Sequence, residues 1–313
     1  MLSGIGVVCF SASYAAALAL EVTRLLFRRG FRGTVMLAFA AAGLAAHTLF
    51  LAHRATTAGL PLSSKQDWYL LAAWALAGTY LCLTAYHPRT SVGLFLLPLV
   101  LGLVAVGMLL ADAEPFARES ASRVWGAIHG TSIMAATVSV LVGFAAGLMY
   151  LGQVRRLKRK RPTTEGLTLP SLEWLQQTNS RALLVSMVFL GAGMISGTIL
   201  NVIHHGNQVP WHDPLVVSTG AMFVWLVGAV SLSALYRPVR HGRKVVYLTV
   251  FSFLFLLIAL AIWLFADTRH VGGQLETARA VEGELGPHPP LGGFVQTEPC
   301  GAAAWHGTGG GAE

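Results

Sequence analysis

Apolar runs close to the length of a membrane span recur from one end of this chain almost to the other, separated by short polar links. A helix needs about 20 apolar residues to cross the hydrocarbon core. Inside the bilayer a backbone without water partners is driven into helices. Eight such runs are expected, at 2–27, 33–53, 68–86, 91–111, 124–154, 182–203, 215–236 and 245–266. The predicted fold is therefore all-α: a polytopic membrane domain over 1–266 and a polar, disordered external tail over 267–313. Composition agrees. The 313 residues are 54% hydrophobic and only 12% charged, against about 25% charged in soluble domains.

The net charge of +8 does not point to nucleic acid, because the basic residues sit in the short links and no nucleic-acid signature accompanies them. They alternate. Arg28, Arg29 and Arg32 fill the first link, Arg89 the third, Arg155 to Arg161 the fifth, and Arg237, Arg240, Arg243 and Lys244 the seventh. By the positive-inside rule the odd links face the cytoplasm, and both termini lie outside. The N-terminal run lacks a basic leader region and continues into Glu21 and Arg24, so it reads as a retained span. The fifth link has room for a short surface helix over 169–177, serving as an orientation anchor or a docking site for a cytoplasmic partner. Cys9, Cys82 and Cys300 form no CxxC or CxxCH motif, which leaves no thioredoxin-like site, no covalent haem attachment and no disulfide framework.

This topology gathers His53, His129, His204, His205, His212 and His270 at the outer surface, together with Trp68, Trp125, Trp211 and Trp263. His47 lies deeper on the second span, and His87 and His241 lie near the inner surface. Tryptophan belts also form at interfaces without any cofactor. A histidine near the bilayer is costlier and tends to line a cavity or site. Neutral imidazoles can hold haem iron from opposite sides. Indole rings suit a flat porphyrin, and arginines such as Arg54, Arg118, Arg123 and Arg269 suit its propionates. Zinc is a competitor that wants tetrahedral ligands, and the adjacent His204 and His205 are poorly placed to share one ion.

Certain segments resemble the CcsA/CcmC-type cytochrome c assembly proteins, whose relatives include a HemX-like branch. Trp125-Gly126-Ala127-Ile128-His129 is similar to the start of that family's helix bearing an external haem-ligand histidine. Gly193-Met194-Ile195-Ser196-Gly197-Thr198 resembles the segment ahead of the tryptophan-rich external loop. That loop ends in Trp-Asp-Pro, and here the chain reads Trp211-His212-Asp213-Pro214. His270 stands where a second external histidine is found in the CcsA branch. The resemblance implies a bacterial cytoplasmic-membrane protein that holds haem b on the outer face. His129 and His270 would be axial ligands, and Trp125, Trp211, His212 and Asp213 would line the plate. For the histidines that hold haem within spans in the CcsA branch, the resemblance would offer His47 and His87 as counterparts, although neither matches a motif. Apocytochrome c, a partner membrane assembly subunit and the lipid bilayer would be the partners. The role would be that of a chaperone or lyase-complex subunit rather than a free-standing catalyst. The single tryptophan of the loop fits HemX-like relatives, linked to control of tetrapyrrole synthesis. A small-molecule transporter is a further alternative, which the scarcity of ionisable groups in the spans disfavours. A membrane anchor for a soluble partner, using the basic fifth link, is another.

Overall fold

A computed structural model describes residues 2–26, 31–57, 64–87, 90–113, 123–158, 168–205, 213–235 and 243–265. They form eight helices and no strand. These are α1 (Leu2–Leu26), α2 (Phe31–Thr57), α3 (Lys65–Tyr86), α4 (Gly93–Leu109), α5 (Arg123–Lys158), α6 (Leu172–His205), α7 (Pro214–Leu235) and α8 (Arg243–Phe265). All belong to one compact unit, Met1–Val271. The remainder, Gly272–Glu313, lies outside the described residues.

Seven of the helices are long and apolar enough to cross a membrane. The chain is a multi-pass membrane protein. The exception is α4, with 17 residues and Pro98 inside it, where the sequence predicted a full-length span. The surface helix expected over 169–177 is not a separate element. Its residues from Leu172 onward are the first turns of α6, because no proline or glycine interrupts the path from Leu172 to Ala182.

Neighbouring helices pack as antiparallel hairpins, α1 on α2, α3 on α4, α5 on α6 and α7 on α8, with α5 also against α8 and α3. In lipid, close approach depends on small residues and a few polar ties. The α5 glycines provide the first: a Cβ at Gly143 would meet Ala182 at 3.1 Å, and one at Gly147 would meet Val246 at 3.2 Å. Asn179 and Thr249 provide the second. Thr249 Oγ1 donates to Asn179 Oδ1 at 2.8 Å, joining α6 to α8 where both pass α5. Trp74 Nε1 donates to Thr48 Oγ1 at 2.8 Å and ties α3 to α2. Outward from this core, side chains such as Leu49, Val224, Ile195 and Leu254 are exposed, as lipid contact requires.

The two ends of the bundle differ. At one end, Ser91 N donates to Thr168 O at 2.8 Å, His87 meets the edge of Trp174, and Leu169 packs by Gly152. Beyond that level α5 runs on through Arg155, Arg156 and Lys158. The other end carries His129, Trp68 and Trp263. Gly6 packs on Phe50 there, and Trp263 stacks on Tyr69 with ring centroids 5.2 Å apart. The start of α1 and the finish of α8 therefore share this second end. From Gly130 to Gly152, α5 rises about 33 Å, close to the thickness of the hydrocarbon core.

Candidate functional site

The histidine-bearing end is organised around the first turn of α3. Ser64 caps the helix in a capping box: its hydroxyl accepts from Asp67 N at 3.2 Å, and the Asp67 carboxylate accepts from Ser64 N at 3.1 Å. That closure satisfies backbone donors left open at a helix start. The buried Asp67 also pairs with Arg54 of α2, Nε to Oδ1 at 2.6 Å. Lys65 reaches Asp112 just past α4 at 3.3 Å, and Gln66 N donates to Asp112 O at 3.2 Å. Tyr69 faces α8, its hydroxyl donating to Leu260 O at 3.4 Å. Trp68 turns toward α5 and lies so close to Gly130 that a Cβ there would collide with its ring.

Gly130 follows His129, which is turned toward α6. A helix carbonyl normally serves its own ladder, yet Gly193 O also lies 2.7 Å from His129 Nδ1. A carbonyl only accepts, so the neutral ring carries its proton on Nδ1 and its lone pair on Nε2. Ser196 Oγ, 3.0 Å from the same carbonyl, completes the group. Space for the ring comes from Gly197, where a Cβ would stand 2.8 Å from both Cε1 and Nδ1 of the imidazole. At Gly193 a Cβ would stand 2.6 Å from Ile133 Cδ1. The motif from Gly193 to Thr198 is thus the cradle of His129.

The remaining predicted site residues fall as follows. Trp125 is half-buried, one turn ahead of His129 on the same face of α5. Asp213 precedes α7 and caps it, its buried carboxylate accepting from Leu215 N at 2.8 Å. Pro214 then fills the first helical position, where no N–H is needed. Trp211, His212 and His270 lie outside the described residues. Lys65, Trp68, Gly193 and Gly197 were not among the predicted site residues. In sequence, Trp68 was marked as an outer-surface tryptophan and Gly193 and Gly197 by their segment's resemblance to the family, while Lys65 was not marked.

His47 is fully buried. Phe10 stacks on it at 4.0 Å, and Tyr14 Oη lies 3.4 Å from its Nδ1. This ring is walled in by α1, and its surroundings are those of a packed core. His87, at the basic end, is exposed beside Trp174. No cluster of three or more metal-ligating side chains occurs among the described residues, and a haem would ask only for axial imidazoles.

The family described as cytochrome C assembly protein matches residues 34–266, well over half of the chain. The chain belongs to that family. Membership supports a role in cytochrome c biogenesis. The match begins inside α2 and takes in every described site residue named above, whereas α1 lies ahead of it. The cytochrome c assembly match therefore omits a helix that buries Phe10, Tyr14 and Glu21 against the rest of the bundle. No curated protein matches the chain.

Proposed function

We propose that this protein holds haem b at the outer surface of the bacterial cytoplasmic membrane and hands it to apocytochrome c, in company with a partner membrane assembly subunit. The observation that carries this reading is the bond between His129 Nδ1 and Gly193 O. Metal-binding histidines characteristically donate one ring nitrogen to a carbonyl or carboxylate, which orients the ring and makes the other nitrogen the ligand. The pattern at His129 is that of an oriented axial ligand, with Nε2 the iron-binding atom. The donor chemistry fits haem iron.

In this reading His270 supplies the second imidazole, while Trp125, Trp211, His212 and Asp213 line the plate. Iron held by two histidines presents the porphyrin for thioether formation with cysteine thiols of the incoming polypeptide. The residues of this chain bind and orient; the account requires no covalent intermediate on them. The basic finish of α5, at the opposite end, supports a cytoplasmic placement of that end and an outer placement of His129.

Cells lacking the protein, complemented with wild type or His129→Ala, test the proposal. Restoration of covalent c-type cytochromes by wild type alone is expected. Full restoration by His129→Ala would overturn it. One sequence observation favours a second reading as a HemX-like regulator: Trp211 is the only tryptophan in its loop. That reading predicts unchanged c-type cytochromes and altered levels of tetrapyrrole precursors in the deletion strain.

A further inference from the structure

Lys65 is an unusual cation for a membrane protein. Its side chain is 7% exposed, and among the described residues the carboxylate it contacts is that of Asp112 at 3.3 Å, whose own side chain is 68% exposed. An ammonium has three donors, and burying it is costly unless charge and hydrogen bonds are supplied. The neighbouring acid, Asp67, is already engaged by Arg54 and by the cap at Ser64. Asp112 lies past the end of α4, and its side chain is mostly exposed.

The position of Lys65 adds chemical meaning. It stands one turn before Trp68 on α3, a spacing that puts both side chains on neighbouring faces. The Trp68 ring packs over Gly130, next to His129. An amphiphile whose flat apolar body lay by Trp68 and His129 would bring a carboxylate at its edge within the reach of a long lysine stem. We propose that Lys65 is a carboxylate-binding residue of the His129 site, taking a haem propionate in exchange for Asp112. This inference rests on the haem reading above and adds an anion subsite to it.

Soret titration of the detergent-purified full-length protein tests it, with ferric haem and its dimethyl ester as the two probes. Lys65→Met keeps the stem and removes the charge. It is expected to weaken haem binding about tenfold, the effect of one charge-assisted hydrogen bond, and to leave ester binding as in wild type. Asp112→Asn removes the competitor and is expected to bind haem as tightly as wild type or more tightly. Equal haem affinity in wild type and Lys65→Met would overturn the subsite while leaving the haem reading standing. So would equal loss for haem and ester, or loss in Asp112→Asn matching that in Lys65→Met, because a purely structural ion pair gives both. Failure of the wild type to bind either probe would overturn the haem reading, and the subsite with it.

Discussion

Gly197 and His129 occupy one space: a methyl group on the glycine would stand 2.8 Å from two atoms of the imidazole. The histidine ring is therefore placed by an absent side chain on α6 as much as by its own helix. Gly197→Ala should displace the ring and break its bond to Gly193 O. Overpacking of this kind costs about 1–3 kcal/mol. The expected outcome is a lowered unfolding midpoint with haem bands weakened beyond what that loss of stability explains. An unaltered spectrum would show that ring placement does not depend on Gly197.

The tie between α6 and α8 gives a second expectation. Thr249→Val leaves the buried Asn179 Oδ1 without its donor. Hydrogen bonds between membrane helices are modest, so the loss should be about 1 kcal/mol. Asn179→Leu combined with Thr249→Val should cost less than the two single changes added together, since no orphaned polar group remains. Unfolding titrations in mixed micelles would read both. Strict additivity would mean that the two side chains are not coupled.

Arg54 and Asp67 join α2 to the first turn of α3, beside Trp68. Removing Arg54 leaves a carboxylate with only 6% of its side chain exposed and, among the described residues, with the cap at Ser64 as its remaining partner. Breaking a fully buried pair costs about 3–5 kcal/mol. Arg54 is 26% exposed, and solvent screening reduces the expected loss in Arg54→Ala to about 2 kcal/mol. Asp67→Asn retains part of the cap and should cost less than Asp67→Ala. Thermal unfolding of the three variants gives the order directly; an Asp67→Asn protein as unstable as Asp67→Ala would assign the stability to charge alone.

The helical membrane fold was legible because hydropathy and helix length are local properties, and each apolar run carries its own evidence. The starts of helices were harder. The third span was predicted from Trp68, yet α3 begins at Lys65. Lys65, Gln66 and Asp67 look like loop residues in sequence, yet they are buried, with Arg54 from α2 paired to Asp67 and Asp112 from just past α4 paired to Lys65. The joining of the predicted surface helix to α6 has a similar cause: polar residues such as Asn179, Ser180 and Arg181 lower hydropathy without stopping a helix. His129 could be singled out from its neighbours in sequence. The segment beginning at Gly193 was marked as well, but the pairing of its carbonyl with His129 was not, since Gly193 is 64 positions away and a backbone oxygen leaves no mark in composition. Trp211, His212 and His270 remain known by sequence alone.

The most direct measurement is the reduced absorption spectrum of haem-loaded protein carrying His129→Gly, before and after imidazole is added. If His129 Nε2 is an axial ligand, the bis-histidine bands of the wild type are lost in the variant and return with free imidazole, which fills the space the side chain left. Wild-type bands that persist in His129→Gly without imidazole would contradict the account at its centre.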